Sequence, residues 1–130
     1  MQDLFEAAKE ARSHAYCPYS AYQVGSAIRG VDGHIYVGCN VENISFGATI
    51  CAERMAIGAM IVAGCAKFSE VMVVTKDGGT PCGMCLQVLL ELAAEGAVVH
   101  VATPAGVGAS HALKSLMPLA FQSDEVKTQG

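Results

Sequence analysis

Thr49-Ile50-Cys51-Ala52-Glu53-Arg54 and Pro81-Cys82-Gly83-Met84-Cys85 are the two stretches from which the rest of this chain is read. Each places a cysteine where a helical run begins. Cys82 and Cys85 are three apart, so on a helix they share one face of its first turn. Cys51 opens the other helix. Both helices then aim their free N–H groups and positive dipole ends at one small region. Three thiols gathered there are a zinc site with three protein ligands. A structural zinc closes its tetrahedron with four side chains, whereas a catalytic zinc keeps a position for water. Glu53 follows Cys51 by two residues, roughly 200° round a helix, so it suits proton transfer beside the metal better than ligation. Arg54 does share the face of Cys51 and is placed to donate hydrogen bonds to thiolate sulfur.

Outward from these stretches the chain alternates helix and strand. Residues 2–15 carry Leu4, Phe5, Ala8, Ala11 and Ala15 at helical spacing, and Pro18 then marks a loop. Strands are expected over 22–28 and 34–41, joined around Asp32-Gly33, a dipeptide favoured in tight hairpins. Helix runs from Cys51 to about Ala63, where Gly64 supplies a stop. Val71 to Thr75 is a continuous apolar run of the kind found in buried strands. A Gly-rich turn over 76–80 leads to a helix from Cys82 to about Glu95, stopped by Gly96, and 98–102 makes another strand. Strand, helix, strand, helix, strand implies parallel pairing, joined to the antiparallel hairpin upstream. Residues 1–130 read as one domain, with a polar, frayed tail over about 123–130.

Composition narrows the function. Charged residues are only 15% and hydrophobic residues 52% of the 130, against about 25% charged in an ordinary soluble domain. A small domain with so little charge is expected to cover apolar surface with copies of itself. The net charge is −4 with no run of Lys or Arg, which argues against a nucleic-acid polymer as partner and for a small molecule. The longest apolar run, 55–66, falls short of a membrane span. The N-terminus carries acids and no apolar signal region, so the six cysteines are expected to be reduced thiols in the cytoplasm. Cys17, Cys39 and Cys65 stand outside any motif and read as small buried hydrophobes.

Two other readings of the cysteines stay open at this point. Cys82-Gly83-Met84-Cys85 resembles a thioredoxin-like redox pair, although that leaves Cys51 and Glu53 unexplained. A structural zinc site needs a fourth ligand, and His14, His34, His100 and His111 all lie away from motif spacing.

More of the chain agrees with one family. Ala15-Tyr16-Cys17-Pro18-Tyr19-Ser20, Val24-Gly25-Ser26-Ala27, Gly38-Cys39-Asn40-Val41-Glu42-Asn43, Cys51-Ala52-Glu53-Arg54, Pro81-Cys82-Gly83-Met84-Cys85-Leu86-Gln87 and Leu116-Met117-Pro118-Leu119-Ala120-Phe121 follow one another in order. With them the chain resembles the small, homotetrameric, zinc-dependent cytidine deaminases. The resemblance implies an α/β fold, a three-layer α-β-α sandwich with a mixed central sheet, and active sites shared between subunits. It implies one Zn2+ per subunit on Cys51, Cys82 and Cys85, with Glu53 carrying protons. Asn40 and Glu42 match the ribose-binding pair, and the Ala52 backbone would meet the polar edge of the base. Tyr22 stands where the family generally has Phe lining the pocket, and Phe121 matches an aromatic that reaches into a neighbouring subunit. The expected reaction is hydrolytic deamination of cytidine and deoxycytidine in pyrimidine salvage. A second possibility is another aminopyrimidine nucleoside, such as a nucleoside antibiotic, and a third is a non-enzymatic zinc or thiol-redox protein.

Two residues depart from the family pattern. Leu86 follows the last ligand where Arg is usual, so the charge balance of the thiolates is expected to rest on Arg54 and the helix ends. Phe46 stands where relatives often have Tyr, which removes one hydroxyl near the sugar.

Overall fold

The computed structural model describes residues 1–121; the expected tail over 123–130 lies outside them. In chain order the elements are α1 (Gln2–Arg12), β1 (Gly25–Gly30), β2 (Ile35–Cys39), a 3-10 turn (Phe46–Ala48), α2 (Ala52–Val62), β3 (Phe68–Val74), α3 (Gly83–Leu92), β4 (Ala93–Thr103), β5 (Gly106–Ala112) and the short α4 (Leu113–Leu116). One five-stranded sheet has the order β2-β1-β3-β4-β5, with β3 and β4 parallel and the other pairs antiparallel.

The sheet is apolar on both faces because alternate residues of β3 point to different cores. Val71 and Val73 pack with Ala56, Ile57, Met60, Leu86 and Leu89, which places α2 and α3 on one face. Met72 and Val74 pack with Leu4, Phe5 and Ala8 of α1 on the other. The mixed sheet between helices is the three-layer sandwich the resemblance implied. Two glycines set the spacing between layers. A Cβ on Gly25 would lie 2.0 Å from the Ala8 carbonyl oxygen, and one on Gly38 would lie 2.4 Å from that of Ala52 and 2.5 Å from the Ala56 nitrogen. At both positions a helix backbone rests directly on a strand, and only glycine leaves room. The Gly38 contact fixes the height of the first turn of α2, which carries Ala52 and Glu53.

Several boundaries differ from expectation. α1 ends at Arg12, where Ser13 folds back on the Glu10 carbonyl, and residues 22–24 belong to a loop that precedes β1. The hairpin turns through Val31-Asp32-Gly33, with Gly33 at φ 86° and the Gly33 N–H donating to the Gly30 carbonyl. β3 begins three residues before the expected run. α3 ends at Leu92, and Gly96, expected as its stop, lies inside β4 where the register against β3 jumps from Ala93 to Val98. β5 and α4 were not expected at all. Of the three cysteines read as buried, Cys65 is buried, whereas Cys17 and Cys39 are half-buried.

Candidate metal centre and cavity

Cys51 and Cys82 are the cap residues immediately before α2 and α3, both in extended backbone, with their carbonyls accepting the first helical hydrogen bonds from Met55 and Leu86. That local geometry turns both side chains toward the helix ends. Cys85, one turn into α3, lies behind them and is fully buried. The Cys51 and Cys82 sulfurs are 4.0 Å apart, those of Cys82 and Cys85 3.5 Å, and all three lie within 4.8 Å of one another. Sulfurs bound tetrahedrally to zinc at about 2.3 Å sit about 3.8 Å apart. The donor set therefore fits zinc as it stands. Among the described residues it is the one such cluster of His, Cys, Asp or Glu donors. None of the four histidines joins it; His100, for example, is occupied by Glu70 and Ser110 at 2.9 and 2.6 Å.

Electrostatics prepare the cluster for a cation. A hydrogen bond from Cys85, with further donation from Arg54 and Cys82, lowers the Cys51 pKa to about 5. Cys85, donating to that thiolate and buried, is raised above the ordinary thiol range. Arg54 Nη2 lies 3.8 Å from the Cys51 sulfur and 3.2 Å from the Thr49 carbonyl oxygen. Leu86, which stands where the family usually has a second arginine, is buried among the core residues of α2, β3 and α3. The positive side of the balance is thus Arg54 and the two helix ends.

The cluster opens on a cavity of about 330 Å³ lined by Tyr22, Asn40, Glu42, Cys51, Ala52, Glu53 and Cys82, together with Ser20, Thr75 and others. Glu53 is only 4% exposed, and burial, with the Cys51 charge adding, pushes its pKa up to about 7. A carboxyl poised there both accepts and donates protons near neutrality. Asn40 and Glu42 reach the cavity because Val41 exchanges two 2.9 Å backbone hydrogen bonds with Ile50, and Tyr16 bonds to the backbone on either side of Val41. The ribose candidates are thereby zipped to the residue before Cys51.

Both polar candidates are partly engaged. The Asn40 amide donates to the Tyr22 carbonyl at 2.8 Å and accepts from the Val24 N–H at 2.9 Å, leaving one N–H and one lone pair. Glu42 accepts from the Tyr19 and Ser20 N–H groups on one oxygen and from the Ser20 hydroxyl on the other. The hydroxyl bond foremost holds its pKa below the usual range, so it faces the cavity as an acceptor. Arg54 stands at the Cys51 sulfur as expected, outside the cavity, whereas Phe121 lies elsewhere. Arg54 borders a separate apolar groove between α1, β2 and α2, and its Nε is buried with no acceptor among the described residues. Phe121 does not line the cavity of its own chain; it is 64% exposed, and its carbonyl accepts from Gln87 of α3 at 3.0 Å. Ser20 and Thr75 line the cavity walls and were not among the expected site residues. Ser20 belongs to the Ala15–Ser20 stretch, but its partner Glu42 is 22 residues away, a pairing no local pattern carries.

Residues 1–101 match the family model described as the cytidine and deoxycytidylate deaminase zinc-binding region. The chain is 35% identical over 128 residues to a cytidine deaminase of Sporosarcina psychrophila, covering 97% of this chain and 94% of that one. It is 37% identical over 127 residues to that of Halalkalibacterium halodurans, covering 96% of each. Among solved structures, the crystal structure of cytidine deaminase from Burkholderia pseudomallei superposes with a TM-score of 0.87 at 40% identity, over 92% of this chain and 98% of that one. The Mycobacterium tuberculosis enzyme gives 0.80 at 36%, over 92% and 95%.

Proposed function

Because the chain belongs to the cytidine and deoxycytidylate deaminase family, we propose that it converts cytidine and deoxycytidine, with water, to uridine and deoxyuridine plus ammonia. The observation that carries this is three sulfurs at zinc spacing, with the buried Glu53 beside them, at the wall of one cavity. A zinc ion held by Cys51, Cys82 and Cys85 supplies Lewis acidity and a water ionised near neutral pH.

The protein's own residues do the rest. Glu53 takes a proton from the attacking water and delivers it to ring N3, which leaves C4 open to addition. After addition at C4, Glu53 carries the second water proton to the amino nitrogen, and ammonia leaves as the C4 carbonyl forms. The N3 proton remains in the product, so the two protons and one oxygen of water are all accounted for. Ionised Glu42 accepts from a sugar hydroxyl, and Asn40 adds its remaining N–H. The Ala52 backbone, on the first turn of α2, meets the polar edge of the base, and Tyr22 walls the pocket. Among the described residues no Lys or Arg lines the cavity while Glu42 and Glu53 do, which supports a free nucleoside over its 5′-phosphate.

The residues described form one catalytic domain around a single sheet. An apolar groove lined by Val37 of β2, Ile50, and Met55 and Val62 of α2, with Val62 89% exposed, supports association of copies, and we take the assembly as a homotetramer in which Phe121 reaches a neighbouring cavity. No helix among the described residues is long and apolar enough to cross a membrane, and the site needs reduced thiols, which supports a cytoplasmic enzyme of pyrimidine salvage. The test is an absorbance assay on cytidine, deoxycytidine, cytosine and a cytidine-type nucleoside antibiotic. Turnover of the first two well above cytosine is expected. Turnover of the antibiotic alone assigns the other aminopyrimidine reading, and no turnover by zinc-loaded protein overturns deamination.

A further inference from the structure

The cavity has two loop walls distant in sequence. One is the segment that holds Ser20, Tyr22 and Val24. The other contains Thr75, Gly79, Thr80, Pro81 and Cys82 and continues into α3, so it delivers two of the three thiols.

Tyr22 is fixed in three ways. Its N–H donates to Ser20 Oγ at 3.0 Å, its carbonyl accepts from Asn40 Nδ2 at 2.8 Å, and its hydroxyl donates to Asp77 Oδ1 at 2.5 Å. The residue before it, Ala21, sits at φ 57°. Alanine takes that left-handed conformation at a cost of about 1–2 kcal/mol, so surrounding contacts hold this turn against local preference. Asp77 is held in its turn. Thr75 Oγ1 donates to Asp77 Oδ1 at 3.1 Å and accepts from the N–H groups of Gly78 and Gly79 at 2.8 and 3.1 Å. Thr75 itself continues the sheet through its N–H to the Ala102 carbonyl. The Tyr22 hydroxyl joins the two walls, donating to Asp77 with the Thr75 hydroxyl beside it as a second partner.

We propose that Asp77 is a positioning residue that, through the Tyr22 hydroxyl, locks the loop delivering Cys82 and Cys85 to the wall that encloses the substrate. The pocket wall and the metal ligands are then set as one unit. A loosened latch weakens nucleoside binding and lets zinc leave faster, while the step at C4 keeps its machinery. The inference rests on the deaminase reading for its substrate arm and on the thiol cluster alone for its metal arm.

The test uses zinc-loaded Tyr22→Phe, Asp77→Ala, the double variant and Asp77→Asn, whose amide oxygen still accepts from the tyrosine. For either of the first two, KM for cytidine rises about 3- to 10-fold and zinc release to excess chelator speeds up by a similar factor, the size of one charge-assisted hydrogen bond at a partly exposed site. In Asp77→Ala, which lies outside the cavity lining, kcat stays within about threefold. The double variant is no worse than the harsher single one, because both remove one interaction, and Asp77→Asn recovers most of the loss. Additive effects in the double variant overturn the latch. So does a fall in melting temperature with KM and zinc release unchanged. If the unmodified protein fails to convert cytidine, the deaminase reading fails, and zinc release still decides: equal rates in all variants overturn the latch, and faster release in Tyr22→Phe sustains it.

Discussion

Glu42 is gripped on three sides by Tyr19 and Ser20, so its carboxylate is set before any substrate arrives. Preorganised acceptors of this kind add affinity because no ordering cost remains at binding. Glu42→Gln keeps the shape but removes the charge and replaces one acceptor oxygen by a donor. We expect KM for cytidine to rise about 10-fold with little change in kcat; steady-state kinetics with equal KM in both proteins would count against a sugar-binding role. Residue-scale legibility was high where chemistry is local. Cys-x-Glu and Cys-x-x-Cys announce themselves by spacing, and Arg54 by sharing the face of Cys51. Asp77 was invisible because its partner Tyr22 is 55 positions away. Leu86 was noticed as a missing cation, yet only its burial among core residues shows that the position belongs to packing.

Elements matter here through the heights at which they sit. α2 rests on β2 at Gly38, and a methyl group there meets backbone at 2.4 and 2.5 Å. Gly38→Ala should therefore lift the first turn of α2, lowering stability by about 1–3 kcal/mol and releasing zinc; thermal unfolding and zinc content measure both, and an unperturbed protein would refute the contact. A second link crosses the sheet. Glu70 of β3 bonds His100 of β4 at 2.9 Å and Arg29 of β1 at 3.2 Å, and Arg29 reaches Asp3 of α1 at 2.8 Å. His100 foremost, then Arg29, holds the Glu70 pKa below its ordinary 4.5. A lowered carboxyl pKa gives stability that is present above the ordinary value and lost as pH falls through the folded one. The urea midpoint of Glu70→Gln should thus lie below wild type at pH 7 and converge with it below pH 4.5; parallel curves would show the link contributes nothing. The alternation of helix and strand was readable because each carries its own period. β5 was missed because Gly-Val-Gly-Ala-Ser-His-Ala offers one β-branched residue on a largely exposed edge. α3 was read too long because Ala93-Ala94-Glu95 suits a helix, and only parallel pairing with β3 makes it strand.

For the whole molecule, the exposed apolar face of α2 is the feature a lone chain leaves unexplained. Light scattering should find four chains of 13.5 kDa together, and Val62→Lys, which places charge at the most exposed part of that face, should yield smaller species with reduced activity. A monomeric, fully active wild type would contradict the shared-site assembly. Cysteines, carboxylate and cavity meet only when sheet, α2 and α3 are all in place, so the site is a property of the entire fold. The most direct test of that conclusion compares wild type with Glu53→Gln at equal zinc content, following loss of cytidine absorbance and release of ammonia. We predict one zinc per chain in both proteins, turnover in wild type, and a rate lower by at least about 10²-fold in the variant; comparable rates at matched zinc would contradict the account.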